Sequence, residues 1–264
     1  MIVRRAEQKI AALLEPVAGE DARLEASFLL RAKGFRSPYQ NVTESDAKAL
    51  EPLIERRLSG EPLQYVLGEW EFYGLPFFVD HNVLIPRPDT EILVETAVKL
   101  LKDDRRDVLD LCCGSGCIGI ALAACASARV TATDLSADAL ALTRRNAERN
   151  GVSIRTVESD LFEAVEGTFD LIVSNPPYLS KAEMDARDAA LRFEPALALY
   201  GGEDGLDFYR RIAAAYRRYL RPGGALLLEI GMTQKETVKA LFEPSECIDD
   251  YGGRPRVIVV KEHD

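Results

Sequence analysis

Val108-Leu109-Asp110-Leu111-Cys112-Cys113-Gly114-Ser115-Gly116-Cys117-Ile118-Gly119-Ile120-Ala121-Leu122-Ala123 is the stretch on which the reading of the fold turns. A short apolar run leads into a tight turn of small residues, and a second apolar run follows with the composition of a buried helix. Strand, glycine turn and helix in that order open a doubly wound α/β unit. Its glycines let the backbone approach a ligand, and the helix N-terminus offers N–H groups to an anionic one. Asp134 ends the next apolar run, where a carboxylate can accept two ribose hydroxyls. The spacing Gly114-x-Gly116-x-x-Gly119 is also the dinucleotide fingerprint, so a nicotinamide enzyme and a plain packing turn both stay open on this stretch alone.

Working outward, strand and helix patterns alternate: strands at 107–111, 129–133, 153–157, 169–173, 225–230 and 256–260, with helices at 118–126, 137–149, 205–220 and 234–242 between them. Pro222-Gly223-Gly224 reads as the stop of the 205–220 helix. This alternation predicts an α/β fold with a Rossmann-like doubly wound sheet over residues 89–264. Residues 1–68 carry helical periodicity instead, at Ile10, Leu13, Leu14 and Val17, then Leu24, Phe28 and Leu29, then Leu50, Leu53, Ile54 and Leu58. Thr43 or Ser45 caps the third helix and Gly60 lies past its end, so a small helical bundle is expected. Between the two, residues 69–88 are rich in aromatic and β-branched residues broken by Gly74 and Pro76, the texture of a connecting β-hairpin.

With 264 residues, 47% of them hydrophobic and 29% charged, the chain has the composition of a soluble globular protein. No apolar stretch approaches the roughly 18 residues that cross a bilayer, so no membrane contact is expected and the cytoplasm is the expected location. Five cysteines, three of them at 112, 113 and 117, make no disulfide framework, and with only His81 and His263 elsewhere they make no metal set. Small reduced thiols beside a glycine turn account for them better. A net charge of −10 disfavours a nucleic-acid partner, whose phosphates are held by clustered Lys and Arg.

The chemistry concentrates in Asn175-Pro176-Pro177-Tyr178, at the end of the 169–173 strand. Proline has no N–H and pushes the residue before it to extended geometry. Asn175 and Pro176 both precede a proline, so the Pro176 carbonyl and the Asn175 side-chain oxygen can be held out as two acceptors. Two acceptors suit a planar NH2 group with two hydrogens to give, and Tyr178 can pack on its face. Ser159-Asp160-Leu161-Phe162, after the 153–157 strand, supplies a carboxylate for an exocyclic amine and apolar groups for a ring, or else a simple N-cap at Asp160. An amino-group methyltransferase acting on a base of DNA or RNA would bind the same NH2. A non-catalytic module that keeps only the cofactor fold is the alternative of another class.

These segments, with Ile85-Pro86-Arg87-Pro88-Asp89-Thr90-Glu91 and the stretch from Phe193 to Ile212, resemble the S-adenosylmethionine-dependent methyltransferases, and among them the release-factor glutamine methyltransferases. The resemblance runs over nearly the whole chain. It implies transfer of a methyl group from S-adenosyl-L-methionine to the glutamine side chain of the Gly-Gly-Gln motif in peptide release factors, with the helical unit recognising that protein substrate. It also implies that Cys112, Cys113, Gly114, Ser115 and Gly116 surround the methionine end of the cofactor, that Asp134 holds its ribose, and that Asp160 and Leu161 lie at its adenine. Asn175, Pro176, Pro177 and Tyr178 would hold the acceptor glutamine. Asn175, Pro176 and Tyr178 form the catalytic set, and Asn175 also touches the cofactor. Two departures stand out: Cys112-Cys113 replaces a more flexible pair, and Leu161 stands where an aromatic is common, leaving ring contact partly to Phe162.

Overall fold

The computed structural model describes residues 1–101 and 106–262; His263 lies outside them. The chain divides into two units, one of Met1–Glu69 with Asp188–Phe193, the other of Trp70–Arg187 with Glu194–Asp264.

In the first unit, α1 (Val3–Ala18), α2 (Ala22–Ala32), α3 (Glu44–Leu58) and α4 (Leu63–Leu67) form a helical cluster. The buried stripe of α1 is Val3, Ala6, Ile10 and Leu14, spaced by three or four residues, whereas Leu13 is exposed, as is Leu24 at the start of α2. Leu13 lies one residue off its stripe, roughly 100° around α1, and Leu24 lies two residues from both Ala22 and Ala26, on nearly the opposite side of α2, so both face solvent. Thr43, not Ser45, caps α3: its hydroxyl accepts from the Asp46 N–H at 3.2 Å, and the Asp46 carboxylate accepts from the Thr43 N–H at 2.9 Å. Arg57 of α3 reaches α2, its Nε donating to Glu25 at 2.7 Å, and both side chains are largely buried.

The second unit opens with a two-stranded hairpin, β1 (Glu69–Phe72) and β2 (Leu75–Phe78), followed by α5 (Glu91–Leu100). Then come β3 (Asp107–Leu111), α6 (Cys117–Ala126), β4 (Arg129–Asp134), α7 (Ala137–Arg149), β5 (Arg155–Glu158), β6 (Phe169–Ser174), α8 (Lys181–Ala186), α9 (Asp207–Ala215), β7 (Leu220–Glu229), α10 (Lys235–Lys239), β8 (Glu246–Asp249) and β9 (Pro255–Lys261). Among the described residues, β3 to β9 make one sheet in the order β5-β4-β3-β6-β7-β9-β8. The pairings from β5 to β7 are parallel, and β9 runs antiparallel to both β7 and β8. The chain winds from β3 through β4 to β5, then returns to place β6 on the other side of β3, making the β3/β6 boundary the switch point.

Strand periodicity of two gives the sheet two apolar faces. Val108, Leu171, Val173 and Leu227 belong to the core that includes α5 and α6, while Leu109, Leu111, Ile172 and Leu226 join the core of Tyr209, Ile212, Val238 and Phe242. Covering helices on both faces make the sheet doubly wound, as expected.

Three elements differ from the periodicity. The predicted 205–220 helix is α9 followed by one 3₁₀ turn, Tyr216–Arg218, and β7 begins at Leu220, ahead of Pro222-Gly223-Gly224. Leu220 pairs with Phe169 and Ala225 with Leu171, so the intervening residues bulge out of the ladder instead of ending an element. Arg221 in the bulge donates to Asp170 and to Asp107, each at 2.7 Å, which secures it to the neighbouring strands. The 234–242 helix shortens to α10, and the predicted 153–157 strand moves along to β5. The hairpin packs on α7: Asn146 accepts from the Phe78 N–H at 2.7 Å and donates to the Phe78 carbonyl at 3.0 Å.

Gly119 marks how closely α6 lies on the sheet. A Cβ there would come within 2.9 Å of both Asp110 Oδ2 and Val130 Cγ1. Gly119→Ala is expected to destabilise the protein by about 1–3 kcal/mol despite the helix preference of alanine, seen as a lower denaturant midpoint.

Candidate active site

The register places Leu111 opposite Ser174 on adjacent parallel strands, and the Ser174 hydroxyl donates to the Leu111 carbonyl at 2.8 Å. The loops that follow, Cys112 to Gly116 and Asn175 to Tyr178, therefore leave the sheet side by side at the switch point. Above them lies a cavity open to solvent. Its walls include Cys112, Cys113, Gly114, Ser115, Asp134, Asp160, Leu161, Asn175 and Pro177, together with Arg87, Thr90, Leu135, Phe208 and Arg211.

The glycine loop is held by side chains that leave its ligand-facing side open. Asp134 Oδ2 accepts from the Gly114 N–H and Oδ1 from the Ser136 N–H, each at 2.9 Å. Each carboxylate oxygen can accept a second bond. Thr143 of α7 donates to the Gly114 carbonyl at 2.9 Å, and Asn146 to the Ser115 carbonyl at 2.9 Å. Gly116, at φ 79°, starts α6 so tightly against Thr143 that a Cβ would lie 2.7 Å from its methyl. Cys112 takes a left-handed φ of 57°, uncommon for a residue with a Cβ, as the chain leaves β3. Burial pushes the Cys112 and Cys113 thiols up and Cys117 to about 12, so all three stay neutral near pH 7.

On the opposite wall, Asp160 pairs with Arg211 of α9 at 2.8 Å, and Leu161 takes φ 51°. Phe162 is not on the cavity wall: its ring stacks on Tyr219, centroids 4.6 Å apart, in the core beneath the sheet. Phe162 follows Leu161, whose backbone is left-handed, and its side chain joins the core.

Asn175 projects into the cavity with its amide nitrogen 3.4 Å from the Thr90 hydroxyl. Pro176 is buried and Tyr178 half-buried, neither among the lining residues. Burial raises the Tyr178 phenol to about 12, with the nearby Glu229 carboxyl adding to the rise, which keeps it neutral. At the cavity mouth Arg87 pairs with buried Glu194, which also accepts from the Ile85 N–H at 3.1 Å.

Comparison with known proteins decides the family. Residues 4–68 match the PrmC N-terminal domain and residues 88–196 the Methyltransferase small domain. A release factor glutamine methyltransferase of Geobacter sulfurreducens is 43% identical, covering 90% of this chain and 89% of its own. One of Agrobacterium fabrum is 38% identical, covering 99% and 96%. The chain belongs to the release factor glutamine methyltransferase family. Among solved structures, a Pyrococcus furiosus methyltransferase superposes with a TM-score of 0.58 at 19% identity, covering 83% of this chain and 99% of its own, a likeness of fold.

Thr90, Arg87 and Arg211 line the cavity and Asn146 holds its glycine loop, and none of the four stood out from the sequence as a site residue. Arg87 and Thr90 sit inside the quoted 85–91 segment, but nothing in their spacing pointed to a cavity formed by a strand end far along the chain. Asn146 carried a signal: an amide in a helix interior is disfavoured unless it has partners, and this one satisfies the hairpin and the glycine loop together.

Asp110 lies beneath the loop, fully buried, with Oδ2 accepting from the Gly119 N–H at 2.9 Å and Oδ1 unpartnered. Burial, aided by the charge of Asp134, raises it to about 7. The folded chain thus holds a proton that the unfolded chain, with an ordinary aspartate near 4, has released. Its contribution favours folding in acid and is lost as pH rises from about 4 through 7. Asp110→Asn is expected to gain stability relative to the parent as pH rises, by up to roughly 1.4 kcal/mol per unit between pH 5 and 7, measured by urea unfolding across pH.

Proposed function

We propose that this chain methylates the side-chain amide nitrogen of the glutamine in the Gly-Gly-Gln motif of peptide chain release factors. Membership of the family makes the chain an S-adenosylmethionine-dependent methyltransferase. The observation that carries the reading is the junction of β3 and β6, which turns the glycine loop and Asn175 into one cavity.

The residues present suit the cofactor. Asp134 offers two partly used carboxylate oxygens for the ribose hydroxyls, Leu161 and Asp160 line the wall for the adenine, and Cys112 to Ser115 line the floor for the methionine end. When bound, S-adenosylmethionine supplies a methyl group activated on a sulfonium. Asn175 Oδ1 and the Pro176 carbonyl accept the two amide hydrogens of the glutamine and aim its weakly nucleophilic nitrogen at that methyl. With the Asn175 NH2 donating to the Thr90 hydroxyl at 3.4 Å, Oδ1 is left for the substrate. Tyr178, neutral through burial, packs beside the glutamine without taking its proton. The same two acceptors would stabilise positive charge developing on nitrogen as the methyl left the sulfonium sulfur for it, the sulfur keeping the bonding pair as a neutral thioether, and the proton would then pass to water. No strong base is needed beforehand.

The helical unit, residues 1–68, recognises the protein substrate, residues 69–88 link it onward, and residues 89–264 carry the transfer. The substrate also assigns a cytoplasmic location and no direct role for nucleic acid; among the described residues no helix is long and apolar enough to cross a membrane. Incubation with labelled S-adenosylmethionine and either release factor, oligonucleotide or ribosomal RNA tests the reading. Label is expected in the Gly-Gly-Gln peptide, and label in nucleic acid alone overturns it.

Two variant sets test the roles. Asn175→Ala should lower turnover about 100-fold or more while cofactor affinity stays within a few fold, whereas Asp134→Ala should weaken cofactor binding first. Deleting the residues before Gly68 should raise the KM for whole release factor and leave cofactor affinity near its parent value; unchanged kinetics would remove the helical unit from substrate recognition.

A further inference from the structure

The Asn175–Tyr178 turn is also met by an amide side chain that is not among the residues lining the cavity. Gln234, the residue preceding α10, donates through Nε2 to the Tyr178 carbonyl at 2.9 Å and to the Gly205 carbonyl at 3.3 Å. Its Oε1 accepts from the Gly231 N–H at 2.9 Å, which settles which end of the amide faces which partner. Its backbone is fixed as well: its N–H donates to the Gly231 carbonyl, and its own carbonyl accepts from the Val238 N–H, both at 2.9 Å. No polar atom of Gln234 is left to rotate toward another partner.

The fit around the Tyr178 carbonyl is close. Gly205 has φ 74°, and a Cβ there would lie 2.3 Å from that oxygen. The next residue joins the same segment, the Leu179 N–H donating to the Leu199 carbonyl and the Gly201 N–H to the Leu179 carbonyl, both at 2.8 Å. The turn is thus held at its start by the β6 ladder at Ser174 and at its end by these bonds. Between the two anchors both prolines have a fixed φ. Few soft torsions remain to aim Asn175 and the Pro176 carbonyl.

We infer that Gln234 is a positioning residue for methyl transfer: by clamping the Tyr178 carbonyl against Gly205 it sets the direction in which the turn presents its two acceptors. The inference rests on the acceptor role given to the turn under the proposed function. Displacements of about an ångström at a reacting pair lower rates by up to about 100-fold, so a clamp remote from the reacting atoms affects turnover more than binding.

Gln234→Leu removes all three side-chain bonds. The nearly isosteric Gln234→Glu can still accept from Gly231 but, when ionised, sets a carboxylate against two carbonyls. For both variants kcat is expected to fall roughly tenfold or more, with cofactor Kd and release-factor KM within about threefold of the parent. Hydrogen exchange at the Leu179 and Gly201 amides should quicken roughly tenfold or more, a readout that needs no substrate. The inference is overturned if kcat stays within twofold in both variants, if cofactor affinity falls in step with kcat, or if both amides keep their parent exchange rates. Should the parent enzyme itself fail to label the Gly-Gly-Gln glutamine, the proposed function fails, and the exchange rates alone decide the clamp: faster exchange upholds it and unchanged exchange overturns it.

Discussion

The parallel pairing of β3 with β6 is the constraint on which the site depends. With Leu111 opposite Ser174, the strands end level, and the two loops emerge as neighbours although they lie far apart in the chain. A slip of one residue would reverse the faces of Leu109, Leu111 and Ile172 against those of Val108, Leu171 and Val173, exchanging two packed cores. The apolar alternation that stabilises the sheet therefore also sets the level of the glycine loop against the Asn-Pro-Pro-Tyr turn.

Polar groups beneath and beside the cavity convert that placement into fixed directions. Asp134 and Asp110 each take a backbone N–H from the glycine loop and helix, at Gly114 and Gly119. Asn146 holds the hairpin and the Ser115 carbonyl from one side chain, and Gln234 does the corresponding work for Tyr178. Buried amides of this kind favour a single arrangement because an unpaired donor or acceptor out of water costs about 1–3 kcal/mol. Asp110 and Glu229 add carboxyls raised to about 7 by burial, the second also opposed by bonds and charges from Thr90 and Arg256.

Much of this was legible residue by residue. The strand at 107–111, the helix at 137–149 and a cap at Thr43 or Ser45 follow from period and cap chemistry, which are local; the structure chose Thr43. The 205–220 helix was misread because Pro222-Gly223-Gly224 looks like a stop in sequence, while in the sheet those residues bulge between Leu220 and Ala225 with Arg221 bonded to Asp107 and Asp170. The place of the Phe162 ring was not legible either: it stacks on Tyr219, a residue far along the chain, just after the left-handed Leu161.

The sequence by itself determined the alternation of strand and helix, the glycine turn and the two fixed proline torsions after Asn175, because these are set by backbone sterics and the spacing of apolar residues along a few turns of chain. Only the tertiary structure decided that Thr90 would meet Asn175, that Arg211 would meet Asp160, and that Gln234 would close on Tyr178. Those partners are brought together by packing between distant segments, and a hydrogen bond of about 3 Å is satisfied or lost on displacements far smaller than any periodicity can resolve.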